Sequence, residues 1–554
     1  MRTIKRLLPL LLLPLALTAR AQEPAQVSGL LLSSGQFTPV DMMKYSRNYY
    51  SFTTGRVSAM GGAFTALGGD MASMGINPAG IGMYNGSAWG FSPMLNFTGN
   101  KNAVQGDANS LVRFGFNNIG TVFNFYSGDR GLLKFNLGIS YNRSDDFNYN
   151  GSVRMPMGAQ SSLLNIFQLQ LNGLYNYIND GAWKGLPESD LLNDPFNSDR
   201  IFIEEWGGVL GYQSGILRPV GQGMYDIHRL PESGKLASTL NYMSRGAVSE
   251  YNVAGGFNIE NIFYFGFDFG FQDIYQDLSL SYSEDYDDDY AGPAQNYLSR
   301  MTYNQRITAQ GSAYNFKLGV IVRPVSFLRI GLAYHTPTYT TVQKRYSAGM
   351  GSSRYGTNAE TYNNTLVAVA GYSYSTAPRL LSGIAVTVGD YMALSFDYEA
   401  VWYNKMRYRM DSPAVQADWA AAIGMDYKVA NNFRVGVEVK PVPGIAIRAG
   451  YAYYDSPIRD DSQGDDYRIF SDIFTTSSHH ISAGLGFWLG SNTTLDLAYV
   501  YSRYNVAPYD LYYYHGPARL PNMDAPSVTY QPSSVVTGGI LNRHSLTATF
   551  NFLF

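Results

Sequence analysis

The run IFYFGFDFGFQ, residues 262–272, alternates with a strictness that few folds accommodate. Phe263, Phe265, Phe267, Phe269 and Phe271 take one phase, and Tyr264, Gly266, Asp268, Gly270 and Gln272 take the other. A strand repeats every two residues, so this segment has one greasy face and one polar or small face. The pattern recurs in YNFKLGVIVRP, where Tyr314, Phe316, Leu318, Val320 and Val322 oppose Asn315, Lys317, Gly319 and Arg323. It recurs again in the closing HSLTATFNFLF, where Leu546, Ala548, Phe550, Phe552 and Phe554 oppose Thr547, Thr549 and Asn551. A water-soluble sandwich also alternates, so alternation alone does not say whether the greasy face meets a core or lipid.

The spacing between segments decides. Gaps alternate between short turns (SGDRG at 127–131, IEN at 259–261, RPVS at 323–326, GD at 389–390, KPVPG at 440–444, GSN at 490–492) and long polar stretches such as 284–312 and 339–376. Aromatic residues gather near the segment ends. Transmembrane barrels show this asymmetry, with tight turns on the periplasmic rim and long loops outside. Closure follows because an open sheet edge in lipid leaves backbone groups unpaired, at several kcal/mol each. Strands are predicted near 88–98, 111–126, 132–143, 248–259, 262–275, 313–323, 327–338, 379–389, 391–404, 432–440, 444–455, 480–489, 493–504 and 544–554. That is an all-β fold, a transmembrane antiparallel β-barrel of about 14 strands, even in number as a bacterial barrel requires.

Composition agrees. Charged residues make up 15% of the 554, against about 25% in soluble proteins, and there are 45 tyrosines. A net charge of -3 gives no basic face for nucleic acid. The absence of cysteine excludes a disulfide scaffold and a Cys-ligated metal. No cofactor and no metal site is predicted. The N-terminus MRTIKRLLPLLLLPLALTARAQ has a basic start, an apolar run too short to span a bilayer as a helix, and Ala19-Arg20-Ala21. It reads as a secretory signal over 1–21, so the chain is exported, and the barrel pattern then places it in the outer membrane of a Gram-negative cell.

Residues 22–86 precede the first strand, and their centre, VSAMGGAFTALGGDMASMGINPAGIGM, is too small-residued for a core and too apolar for a linker. A barrel of this size encloses more space than wall side chains fill, so the segment is predicted to sit in the lumen as a plug. Gly61, Gly62, Gly68 and Gly69 would let its backbone approach the wall, Pro78 would hold Asn77 extended, and Gly80 would take the positive φ that leaves the turn. The stretch TGRVSAMGGAFTALGGDMASMGINPAG resembles the N-terminal hatch of the FadL/TodX family of outer-membrane transporters. Asp70, Asn77, Pro78, Ala79 and Gly80 match it residue by residue. LRIGLAYHTP, LSFDYEAVWYNKMR, FRVGVEVKPVPGIAIRAGYAYYDSPI and HHISAGLGFWLGSNTTLDLAYVYSRYN are similar to that family's later strand pairs. The resemblance implies passive uptake of long-chain fatty acids or similar hydrophobic compounds through a hatch-gated barrel, usually with release through the wall towards the bilayer. It implies a hydrophobic ligand and the lipid bilayer as partners, and a monomer; the C-terminal Phe554 resembles the signal by which barrel proteins are recognised for assembly, which adds the barrel assembly machinery as an expected partner. Gly61, Gly62, Asp70, Asn77, Pro78, Ala79 and Gly80 are the expected gating residues.

The domain organisation follows: signal 1–21, N-terminal extension and hatch 22–86, barrel 87–554, with a long extracellular loop at 145–247 where the resemblance is weak. Within that loop Leu163, Leu164, Phe167, Leu171, Leu174 and Ile178 recur at helical spacing. Such a helix either lines an apolar groove for the ligand or packs its greasy side on neighbouring loops. Lys317, Arg329 and Arg448 fall in the inward phase and are candidates to hold a carboxylate head group. EDYDDDY at 284–290 lacks EF-hand spacing and reads as a solvated loop tip rather than a calcium site. His479 and His480 point to opposite faces of a strand, which argues against a shared metal. No nucleophile motif accompanies the histidines, so no enzyme is predicted. A general porin or a surface adhesin on the same barrel is the alternative; a porin would have no hatch. Ligand identity, whether fatty acid, hydrocarbon or haem, is left open by the sequence.

Overall fold

The computed structural model describes residues 26–554 apart from 33–34, 36, 103–108, 160, 232–233, 288–295, 358–359, 460–475, 522–528 and 535–536. The signal at 1–21 and residues Asp288, Asp289 and Tyr290 of the acidic tip therefore lie outside the described residues.

Fourteen antiparallel strands close into one barrel. They are β1 (Ala88–Asn102), β2 (Asn109–Ser127), β3 (Leu132–Asp146), β4 (Leu236–Ile259), β5 (Phe263–Tyr286), β6 (Leu298–Val325) and β7 (Leu328–His335). They continue as β8 (Arg379–Val388), β9 (Met392–Trp402), β10 (Val429–Val442), β11 (Ile445–Tyr454), β12 (Ser478–Trp488), β13 (Thr493–Tyr509) and β14 (Thr537–Leu553). Each pairs with its chain neighbour, and β14 closes on β1 with Trp89 opposite Phe552. The hairpin between β4 and β5 shows why the short turns work. Glu260 and Asn261 both have positive φ (54 and 55), the twist that a tight hairpin needs.

The barrel is inside out relative to a soluble protein. On β5, Phe265, Phe269 and Phe271 are 44, 50 and 54% exposed, while Asp268 between them is fully buried. Above this apolar band the strands continue with a polar exterior. Residues 339–354 resume the line of β7 after a break at 336–338 and pair with β6 from Tyr314–Tyr339 to Arg300–Ser353. Residues 149–159 do the same beside β4, with Tyr149 opposite Ser244. Part of the segment read as a loop over 145–247 is thus wall, and β4 begins at Leu236.

The remainder of that segment caps the long-loop end. Helices α4 (Leu163–Leu171), α5 (Leu174–Asp180), α6 (Glu188–Leu192) and α7 (Trp206–Gln213) share a core with inward residues of the raised wall, including Leu280, Tyr282 and Tyr303. Glu284 on β5 fixes α4 by accepting from the Leu163 amide at 2.8 Å and from the Ser162 hydroxyl.

The chain before β1 runs the length of the lumen. Residues 26–28 pair with 513–515 in the long connection between β13 and β14, and Leu31 joins the cap core. Helix α1 (Pro39–Ser46) lies deeper, with Phe37, Met42, Met43 and Tyr45 packed among Phe147, Val342, Tyr374 and Tyr408. Residues 47–86 then fill the short-turn end.

Candidate functional site: the hatch and the wall that holds it

The hatch is built from two short helices and one tight turn. Helix α2 (Gly55–Ala59) is ended by Gly61 and Gly62, both at positive φ, the Gly62 amide returning to the Val57 carbonyl at 2.9 Å. Gly68 and Gly69 also have positive φ. Helix α3 (Ser73–Ile76) follows, and Pro78–Met83 make a 3-10 turn. Asp70 joins the halves: its carboxylate accepts from the Thr54 hydroxyl at 2.8 Å and the Ala72 amide at 2.9 Å. Asn77 is extended (φ -139, ψ 102), and its side chain accepts from the Ala79 amide at 3.2 Å. Gly80 is not among the glycines at positive φ, contrary to the sequence expectation. Its requirement is space, since a Cβ there would lie 2.7 Å from Ser73 Cβ and 2.9 Å from Gly68 Cα.

The docking surface on the wall is a belt of inward-facing glycines. Gly256, Gly266 and Gly319 are register partners across β4, β5 and β6; Gly331 and Gly383 pair across β7 and β8; Gly436 and Gly450 pair across β10 and β11. The hatch backbone lies directly on them. A Cβ on Gly266 would fall 2.2 Å from the Ala79 nitrogen, on Gly319 1.9 Å from Asn77 Oδ1, and on Gly331 2.2 Å from the Thr65 oxygen. On Gly450 it would fall 2.2 Å from the Gly61 nitrogen. The hatch glycines were legible as a means of close approach; the wall's share of that approach was not drawn from the sequence, although its glycines stand in the inward phase.

Side chains lock the contact at several places. Asn77 Nδ2 donates to Thr65 O at 2.7 Å and across to Val320 O on β6 at 3.2 Å. Thr65 donates its amide and hydroxyl to Asp397 of β9 at 2.9 and 2.7 Å. Arg56 grips Glu438 of β10 with two bonds, at 2.9 and 3.0 Å. His335 Nε2 also meets Ile76 O at 2.9 Å.

The candidate lumen cations divide. Lys317 is held by Glu250 at 2.7 Å, Asn252 at 2.9 Å and Asp268 at 3.0 Å. Arg448 is held by Glu438 at 2.6 Å and Asp496 at 2.5 Å. Both are matched, as buried charge must be. Arg329 differs: it donates to Leu67 O of the hatch at 2.6 Å and has no carboxylate partner among the described residues. Arg434 binds Glu399 at 2.7 Å, and Glu399 binds Arg379 at 3.2 Å, so a chain of ion pairs runs along β8, β9 and β10.

The loop-helix candidates are brought together in the cap. Leu163, Leu164, Leu171 and Leu174 are fully buried, Phe167 is 1% exposed, and Ile178 packs at the edge of the same core. They form two helices, broken at Gly173 (φ 100), rather than one. His480 faces the lumen among Tyr49, Phe52, Tyr454 and Tyr504, while His479 faces outward. Asp285 pairs with Arg300 at 3.5 Å, and no cluster of metal-ligating side chains occurs among the described residues.

Residues 236–509 match the model of a family described as outer membrane protein transport protein (OMPP1/FadL/TodX). A search of curated protein sequences returns no match. Among solved structures, the fold is similar to the CymD monoaromatic hydrocarbon channel, at 11% identity over 92% of this chain and 99% of that one, with a TM-score of 0.47. It is similar to the P. putida toluene transporter TodX at 10% identity, covering 90% of this chain and 97% of that one, TM-score 0.47. A Pseudomonas aeruginosa FadL homologue aligns at 11% identity over 92% and 98% of the two chains, TM-score 0.48.

Proposed function

Because this chain belongs to the OMPP1/FadL/TodX family of outer membrane transport proteins, we propose that it admits hydrophobic compounds, long-chain fatty acids or monoaromatic hydrocarbons, by passive passage past a movable hatch. The observation that carries the reading is how the hatch is held. Residues 55–83 contribute no strand to the wall; they touch it through glycine-backed contacts and side-chain locks, among them those at Asn77, Thr65 and Arg56. Such a segment can shift without breaking any wall ladder, so opening leaves no unpaired strand edge in the bilayer. Above it Tyr374, Tyr403, Met406 and Tyr408 pack with Phe37, Met42 and Met43 of the N-terminal segment in one aromatic and sulfur-bearing cluster, an apolar route for cargo once that segment moves aside. At the hatch end Arg329, one of the inward-phase candidates, has no carboxylate partner among the described residues, and we assign it the head group of a fatty acid on its way out.

Uptake by proteoliposomes tests this. Vesicles bearing the full chain should take up labelled oleate or toluene saturably and exclude maltose. Free passage of maltose with no saturable uptake of either hydrophobic compound refutes the proposal and favours the porin.

A further inference from the structure

The outer surface carries a feature that transport does not use. Where β11 to β14 meet β1, the outward face holds an open apolar groove of about 750 Å³, lined by Leu95, Ile447, Ala483, Leu497, Tyr499 and Ala548. Its origin is the placing of small residues. Ala449 pairs with Ala483 and Leu497 with Ala548, while Ile447, Leu485 and Leu546 stand out at 52, 42 and 48% exposure on either side. The result is an apolar slot in the lipid-facing surface.

Towards the long-loop end of the same strands the outward face changes chemistry. Tyr453, His479, Arg503 and Asn542 follow one another in register across β11 to β14. His544 lies one row nearer the groove, opposite Tyr501 and Phe97. The two imidazoles are positioned: His544 Nδ1 bonds the hydroxyl of Tyr499, a groove residue, at 2.7 Å, and His479 Nδ1 bonds the Tyr451 hydroxyl at 2.9 Å. Their rings lean on Tyr501 and Tyr453, with centroids 5.2 and 5.3 Å apart. With Nδ1 occupied, each ring has Nε2 left to offer. Arg503 is exposed and makes no hydrogen bond or ion pair among the described residues. Asp455, just past β11, is already paired with Lys428 at 3.5 Å.

A guanidinium and two imidazoles above an apolar slot match the anatomy of an anionic lipid. We propose that this face binds a phosphorylated glycolipid of the outer leaflet, one acyl chain in the alanine-floored groove and a phosphate on Arg503 between His479 and His544. Arg is suited to this because its fork matches phosphate oxygens in pairs. The tyrosines around it sit where amphipathic rings collect at a membrane interface. The site is independent of the lumen, so its occupancy and solute uptake are separate measurements.

Native mass spectrometry of the detergent-solubilised full chain tests the site, with diphosphoryl lipid A and phosphatidylcholine as probes. Lipid A should bind at least about tenfold more tightly than phosphatidylcholine, the difference that one charge-assisted phosphate contact supplies. The double variant R503Q/H544Q should lose that advantage. A548W should fill the groove and weaken lipid A binding with Arg503 and both imidazoles intact. Both variants alter outward side chains, so the gel shift of the folded barrel and oleate uptake should stay at wild-type level. Equal binding of the two lipids, or undiminished lipid A binding by R503Q/H544Q, overturns the proposal.

Discussion

Replacing Asn77 by Asp changes one terminal group and should loosen the hatch while leaving the barrel whole. Asn77 is fully buried, and its Nδ2 supplies the bonds to Thr65 O at 2.7 Å and Val320 O at 3.2 Å. An aspartate puts an oxygen in that place, facing two carbonyl oxygens at hydrogen-bonding distance. Stranding a buried polar partner costs about 1–3 kcal/mol. If the carboxyl takes up a proton to avoid carrying buried charge, it recovers one donor bond and no more. The closed state should therefore be weakened by about 2–4 kcal/mol, a shift of roughly 30- to 1000-fold in the ratio of open to closed hatch. None of this reaches the wall, whose ladders run between strands and do not include residue 77.

Two measurements separate the parts. Amide hydrogen exchange should accelerate across residues 60–83 of Asn77→Asp and stay unchanged in β4 to β7, and planar bilayers should show openings that the wild type lacks. The unheated gel shift should persist, reporting an intact barrel. Wild-type protection in residues 60–83 together with a silent bilayer would refute the reasoning, because the hatch would then be held without the Asn77 bonds.

Arg56→Met removes a grip on Glu438, but Glu438 keeps Arg448 and the arginine is partly solvated, so the loss should be about 1–2 kcal/mol. Exchange should rise around α2 by less than Asn77→Asp produces in the turn; an equal or larger rise contradicts that ranking. In the cap at the long-loop end, burial pushes the carboxyl of Glu205 up to about 8 from 4.5; one oxygen accepts the Phe202 amide at 2.8 Å and the other has no partner. A raised native pKa means the folded cap holds the extra proton, so this contribution is complete below about 4.5 and is lost as pH rises towards 8. Exchange protection of α7, corrected for intrinsic rates, should fall over that window in the wild type and flatten in Glu205→Gln; an unchanged slope in the variant rules the mechanism out.

The barrel was legible because lipid makes strands conspicuous. All fourteen predicted segments fall on wall strands, and β5 could be read by eye from its phenylalanine phase. Above the lipid band that signal disappears. Asp277, Ser279, Arg306 and Asn304 stand in the outward phase there, so 284–312 and 339–376 looked like loops although most of each belongs to strands. Only the inward phase kept its character, at Tyr282, Tyr303 and Ile307, and a single apolar phase among polar neighbours is a weak signal. The ion pairs divide on similar lines. Glu438 and Arg448 are register partners across one short turn, so counting from KPVPG brings them together. Lys317 with Glu250, or Arg56 with Glu438, joins elements far apart in the chain, and no local count finds such pairs.

Wall glycines offer the sharpest separation between a closed lumen and an empty one. In a strand interior, Gly→Ala should favour the fold by about 0.5–1 kcal/mol, because glycine loses more backbone freedom on folding. At Gly266 that gain meets a Cβ placed 2.2 Å from the Ala79 nitrogen and from the Pro78 carbonyl carbon, both backbone atoms with no rotamer to give. The hatch must withdraw, so Gly266→Ala should make the barrel no less resistant to heat and yet leak. Gly99 on β1 is the control, since a Cβ there meets nothing within 4 Å. Gly99→Ala should be silent in planar bilayers. If Gly266→Ala seals as tightly as Gly99→Ala, the hatch does not rest on the wall backbone, and the gating proposed here loses its physical basis.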